Sequence, residues 1–304
     1  MPSIDILGWN VNQGGYDKRH VFDGAPELPP TPERERQIHG FLAAQHRDGV
    51  DTASLVDTYG WRERYGDNEA IARHLGFKAA TFVPLADDRI DRVLGPGAGL
   101  TFATDRPVEE AGPLDLDNRQ GIKSIITSGG RALQVVTLYL DDMDENLRSA
   151  QLSAGLAGIE DEPTLLVGDL NTLRPELKGA DVPARAHDIG FRAVVFALHI
   201  LPKQETVETI MTKLSRQALA AKVGYYRRAL SGLNRREAVP QLEQRGYRDA
   251  DPKKQPTFHK LGRLGLSVDY IFHSPEVETD DFRVIPAGDA SDHDAVRARA
   301  HLAA

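Results

Sequence analysis

The chain has 304 residues, with 37 Lys and Arg against 45 Asp and Glu, and a formal charge of −8. At 40% hydrophobic and 27% charged residues it has a folded, globular composition rather than a disordered one. The absence of cysteine excludes disulfide frameworks, thiolate zinc sites, iron–sulfur clusters and cysteine nucleophiles, and the acidic balance argues against a protein that coats DNA by charge alone.

Ile4–Val11 is an apolar run of strand length. Thr31-Pro32-Glu33 is a helix start: a capping hydroxyl, proline at the first helical position and acid in the first turn. Ile38, Phe41 and Leu42 follow at helical spacing, and Asp48-Gly49 closes the segment. Val50–Val56 reads as a second strand. Asp67 caps a short helix through Ile71 and Leu75, with Gly76 just past its end. Gly99–Ala103, Ile122–Thr127 and Ala132–Leu140 read as strands, the last two joined in an antiparallel hairpin by Ser128-Gly129-Gly130. Asp144 caps a helix using Leu147, Ala150, Ala154 and Leu156. Thr164–Val167 is a buried-type strand that ends in Gly168-Asp169-Leu170-Asn171. Val268–His273, Asp281–Ile285 and Val296–Leu302 complete the strands.

The longest apolar stretch, Ala193–Leu201, is interrupted by His199 and stopped by Pro202, far short of the roughly 20 residues that cross a bilayer. No membrane span and no secretory signal is expected, and a cytoplasmic location is the default. The region from about Pro175 to Arg248 reads as helical. Between Lys203 and Arg248 stand ten Lys/Arg and four Asp/Glu, a net of +6 against −14 over the rest of the chain. The expected organisation is one domain over 1–304, enlarged by a basic helical insertion at about 175–248.

Polar residues gather at the predicted strand ends. Asn10 and Asn12 follow the first strand, Asp57 the second, Tyr139 closes its strand, and Asp169 and Asn171 follow theirs. Asp269 lies among apolar strand residues, where an acid requires a partner, and Asp292-His293 precedes the last strand. Each alone is ordinary turn chemistry. Together they suit phosphoester hydrolysis: hard oxygen ligands for Mg2+ or Mn2+, a carboxylate to orient water, and an imidazole held by a buried acid to stabilise charge.

The series Trp9-Asn10-Val11-Asn12, Gly168-Asp169-Leu170-Asn171, Val268-Asp269-Tyr270-Ile271-Phe272 and Ser291-Asp292-His293 resembles the endonuclease/exonuclease/phosphatase superfamily, which includes deoxyribonuclease I and the exonuclease III-type enzymes. The resemblance implies an α/β fold, a four-layer sandwich of two mixed β-sheets flanked by helices, with the site at one edge. It also implies roles. Asp169 orients the water, Asn171 contacts the transition state, His293 contacts phosphate, Asp269 orients His293, and Asn10 holds the catalytic carboxylate. Asp57, Asn12 and Asp292 surround the metal. Two positions depart from the common pattern. Asp57 stands where a longer Glu is usual, and Tyr139 where many members carry His, although the abasic-site enzymes of the family resemble this chain in carrying Tyr there. Arg119 and Lys123 lie near the places of phosphate-gripping residues, the alternative for each being a solvated charge at a strand edge. The expected function is a Mg2+-dependent phosphoester hydrolase (Mn2+ being the alternative ion), acting on nucleic acid. The alternatives are a phosphatase or phospholipid phosphodiesterase, and a catalytically dead binding scaffold.

Overall fold

A computed structural model describes residues 3–11, 31–85, 97–141, 145–159, 161–172, 237–253, 255–258 and 267–303. The apolar runs become two six-stranded sheets. The first holds β1 (Ser3–Asn10), β2 (Thr52–Val56), β3 (Ala79–Pro84), β4 (Gly99–Thr104), β11 (Val277–Ile285) and β12 (Ala295–Leu302), in the order β11-β12-β1-β2-β4-β3. The second holds β5 (Val108–Asp115), β6 (Gln120–Ser128), β7 (Arg131–Tyr139), β8 (Thr164–Asp169), β9 (Arg248–Asp249) and β10 (Asp269–His273), in the order β5-β6-β7-β8-β10-β9. Each sheet has one parallel pair at its centre, β1 with β2 and β7 with β8. A parallel pair requires a crossover, and helices α1 (Pro32–Arg47) and α4 (Glu145–Ala157) lie in those connections. Helices α2 (Trp61–Tyr65), α3 (Asn68–Leu75) and α5 (Ala238–Gln244) complete the described set.

Three apolar layers hold the sandwich. Ile4, Ile6, Val56 and Phe102 of the first sheet meet Ile122, Val135, Leu165, Val167 and Ile271 of the second. The other face of the first sheet packs through Leu7, Trp9 and Leu55 on Ile38, Leu42, Trp61 and Ile71 of α1–α3. The other face of the second packs through Val136, Leu138 and Leu166 on Leu152, Leu156, Val239 and Leu242 of α4 and α5. A strand covered on both faces reads as an unbroken apolar run, which is why β1, β2 and β8 were legible. Gly8 keeps the two sheets close, since a Cβ there would lie 2.6 Å from Val167 Cγ1. Thr137 Oγ1 reaches across the interior and donates to Ser54 Oγ at 2.9 Å.

The predicted caps form. Thr31 Oγ1 accepts from Arg34 N at 3.2 Å, Asp67 accepts from Ala70 N at 2.9 Å, and Gly76 takes the left-handed conformation. Gly129 and Gly130, both at positive φ, close the β6–β7 hairpin. The region expected to be an insertion lies outside the described residues from 173 to 236; its described end carries α5 and β9. Asp144, the expected cap of α4, is likewise outside them. No helix among the described residues is long and apolar enough to cross a membrane.

Candidate active site

The parallel pairs carry the C-terminal ends of β1, β2, β7 and β8 to one edge, where the polar clusters meet. In β8, Gly168 has φ +148, and a Cβ there would stand 1.9 Å from Leu138 O. Only glycine fits this close backbone approach. It sets Asp169 at the strand end, 1% exposed and opposite Tyr139 in the ladder.

Asp169 is held from two sides. Asn10 Nδ2 donates to its Oδ2 at 3.0 Å, and Asn171 N donates to its Oδ1 at 2.9 Å. Asn171 lies at φ +49 and donates from Nδ2 to Leu140 O at 2.9 Å, which ties it to the end of β7. Burial, reinforced by the nearby Asp269 carboxylate, pushes the Asp169 pKa up to about 7, against the pull of His293 and the two hydrogen bonds.

Asp269 is buried and lies 2.9 Å through Oδ2 from His293 Nδ1, which is the partner its place among apolar residues required. Asp269 Oδ1 has no hydrogen-bond partner among the described residues. His293 Nδ1 lies 4.0 Å from Asp169 Oδ2 as well. Burial would lower the imidazole's pKa, but Asp269, by charge and hydrogen bond, with Asp169 and Asp292 outweighs it and raises the value to about 9. The ring is therefore an imidazolium near neutral pH, with Nδ1–H directed at carboxylate and Nε2–H as its second donor.

The loop that carries His293 is latched by contacts that no motif announces. Trp9 Nε1 donates to His293 O at 3.1 Å. Ser291 Oγ donates to Asn10 O at 2.7 Å and accepts from His293 N at 3.1 Å. Buried Thr257 accepts at Oγ1 from Val268 N and Asp269 N, both at 3.2 Å, and its carbonyl accepts from Asp294 N at 2.7 Å. Phe258 forms a β-bridge with His293, the ring centroids 4.8 Å apart.

Asp57 follows β2 at φ +60 and is 5% exposed. Val56 pairs with Asn10, and its carbonyl accepts from Val11 N at 3.1 Å, so Asp57 stands beside the end of β1. A non-glycine residue at positive φ costs conformational energy and is often found at functional positions. Asp292 is adjacent to the latched His293. Asn12 lies outside the described residues.

The two basic residues are placed differently from each other. Arg119 is not a solvated edge charge. It is buried, pairs with buried Asp141 at 3.5 Å, donates from Nη1 to Tyr139 O at 3.4 Å, and sets its guanidinium 5.5 Å from the Tyr139 ring centroid. Asp141 in turn accepts from Arg148 Nη1 at its carbonyl, 2.6 Å, and its N–H bonds Gln151 Oε1 at 2.8 Å. Arg119 thus props Tyr139 from below. Lys123 is not brought to the cluster. Its ladder partner is Val136, three residues back from Tyr139, and its ammonium pairs with Glu110 at 3.4 Å.

Asp169, Asp269 and His293 offer three ligand atoms within 4.8 Å of one another, a group of the size that holds a metal. A metal requires a deprotonated ring nitrogen, however, and His293 Nδ1 is committed to its carboxylates, so the trio reads as a proton-holding cluster. Asp57 and Asp292 carry hard-oxygen donors, the kind that a divalent cation of the Mg2+ type takes.

The fold recurs among solved structures. An endonuclease/exonuclease/phosphatase from Beutenbergia cavernae matches with TM-score 0.61 and 16% identity over 100% of this chain and 72% of that one. One from Bacteroides vulgatus matches with TM-score 0.58 and 12% identity over 99% and 100%. D. rerio TDP2, solved with a single-strand DNA product, matches with TM-score 0.51 and 14% identity over 98% and 99%. No curated protein matches the sequence. The sequence model of the endonuclease/exonuclease/phosphatase family matches residues 9–293, from the end of β1 to the latched histidine. The chain belongs to that family of phosphoester hydrolases.

Proposed function

We propose that the protein is a Mg2+-dependent phosphodiesterase that hydrolyses nucleic acid by in-line attack of water on phosphorus. The observation that carries this reading is the Asp169 carboxylate, held by Asn10 and Asn171, facing the His293–Asp269 pair across 4.0 Å. Asp169, with its pKa near 7, is matched to accept a proton from water near neutrality. His293, charged and fixed by Asp269, donates to a non-bridging phosphoryl oxygen as negative charge builds there. Asn171 and Tyr139 bracket the same oxygens, Tyr139 being held by Arg119. Asp57 and Asp292, with Asn12 by resemblance, would hold the divalent ion, which would neutralise charge on the phosphate. The assembled network is the ground for setting the dead-scaffold reading aside.

Nucleic acid is preferred over lipid and inositol phosphates on two supports. One is the +6 segment between Lys203 and Arg248. The other is the related fold of D. rerio TDP2 with its single-strand DNA product. The test is a screen of single- and double-stranded DNA, RNA, inositol phosphates and sphingomyelin, each with Mg2+, Mn2+ or EDTA. The expected result is EDTA-sensitive cleavage of a polynucleotide. Cleavage of only the lipid or inositol substrates would move the assignment to the phosphatase branch, and no cleavage of any would revive the scaffold.

A further inference from the structure

The helical layer over the first sheet carries a pair of nitrogen ligands, on two helices and apart from the phosphoester site. His39 on α1 and His74 on α3 turn their Nε2 atoms toward each other at 2.8 Å. His39 Nε2 also lies 3.0 Å from the Tyr65 hydroxyl on α2, which donates to Glu35 Oε1 at 3.3 Å. Glu35, one helical turn before His39, is fixed by Arg64 at 2.7 Å. The Tyr65 ring stacks on His74 with centroids 3.9 Å apart, and the His39 ring stands edge-on to His74 at 4.0 Å.

We propose that His39 and His74 form a site for one borderline divalent transition ion, of the Cu2+, Ni2+ or Zn2+ class, which clasps α1 to α3. Three observations carry this. Two imidazole nitrogens converge on one point, and imidazole is the donor this class of ion prefers over hard-oxygen ligands. A tetrahedral ion with bonds of about 2.0–2.1 Å sets two nitrogens roughly 3.3 Å apart. The observed gap therefore has to open only slightly, and exposed His74, in the last turn of α3, can supply the movement. Both rings are also neutral near pH 7: burial first, then His74, lowers the His39 pKa to about 4, and burial lowers that of His74. Neutral imidazole is the ligating form. The Tyr65 hydroxyl and Glu35 carboxylate supply polar groups at the rim for the ion's remaining waters.

The site has a stated cost. When an ion takes His39 Nε2, the ring proton has to sit on Nδ1, which is buried and has no hydrogen-bond partner among the described residues. A labile site follows, rather than a closed structural one.

The experiment uses the full chain, stripped of metal and then held in saturating Mg2+ to fill hard-oxygen positions. Cu2+ is titrated and the paramagnetic resonance spectrum is read for nitrogen hyperfine structure. The expected result is one equivalent of copper with two coordinated nitrogens, retained in His293→Ala. In His74→Ala and His74→Gln, affinity drops at least tenfold and the two-nitrogen signature is lost, with helical content unchanged in the metal-free chains. A two-nitrogen signal that survives both His74 variants, or disappears in His293→Ala, places the copper elsewhere and overturns the proposal. Absence of nitrogen-coordinated copper in the wild type overturns it too, leaving a hydrogen-bonded pair.

Discussion

Replacing Asp169 by Asn keeps an oxygen for Asn10 and Asn171 to bond but removes the negative charge and the proton acceptor. The rate constant for polynucleotide cleavage is therefore expected to fall by about 10²–10⁴, the usual worth of a general base, with circular dichroism unchanged. His293→Ala should lose a similar amount, and a rate within threefold of wild type in either variant would remove the residue from the chemistry. Asp57→Ala is expected to raise the Mg2+ concentration at half-maximal rate at least tenfold, since even indirect metal contacts are worth roughly 10–100-fold in affinity. An unchanged Mg2+ curve takes Asp57 out of the metal site. Asp169 and His293, which the structure brings within 4.0 Å of each other, stand in short motifs with fixed spacing, whereas Asp57 stands in none. Ser291, Thr257 and Trp9 were not legible in their roles. They act by bonding backbone groups distant in sequence, such as Ser291 Oγ on Asn10 O, and no local pattern encodes such pairings.

Strands buried on both faces, and helices with caps, were read from sequence to within about three residues at either end, but of the edge strands β3, β5 and β9 were missed and β11 was read only from Asp281 onward. β3 and β5 lie at the outer edges of their sheets. β5 carries Gly112 and Pro113 and is largely exposed, so neither alternation nor β-propensity marks it. β10, although flanked by long stretches without strand signal, was found because its apolar run is broken only by Asp269. At the same scale, Gly168→Ala is expected to fail to fold or to lose activity altogether. A Cβ 1.9 Å from the Leu138 carbonyl forces the central β7–β8 pair apart, and soluble, active protein at wild-type yield would contradict the register. The helical layer makes a pH prediction, to be read by chemical unfolding in EDTA. Folding holds the His39 pKa near 4 against an ordinary 6.5. Below pH 6.5 the unfolded chain binds a proton that the native chain refuses, so stability is full above that value and is lost as pH falls toward 4. His39→Gln should flatten this part of the profile, and an equal slope in both proteins would show that the ring does not titrate in this way.

At the scale of the molecule, the four-layer arrangement follows from two central parallel pairs, each with a crossover helix on its outer face. That geometry brings strand ends from both halves of the chain to one edge, so residues as far apart as Asn10 and Asp169 share a hydrogen bond. The charge distribution has its own consequence. The formal −8 is the resultant of −14 and a +6 segment between Lys203 and Arg248, and only the latter carries the sign of charge that attracts a polyanion. Binding that rests on phosphate contacts releases counterions, and its logarithm falls with the logarithm of salt at about −0.7 per contact for single strands. Catalytic efficiency on a single-stranded oligonucleotide is therefore expected to drop steeply between 50 and 200 mM KCl, whereas that on a small chromogenic phosphodiester, which has no polyanionic backbone, stays within twofold. Neutralising Arg227, Arg228, Arg235 and Arg236 together should flatten the oligonucleotide slope without changing the small-substrate rate. A salt response shared by both substrates would instead locate the effect in the acidic edge of the site, through Asp57 and Asp292, and leave the basic segment without a part in substrate capture.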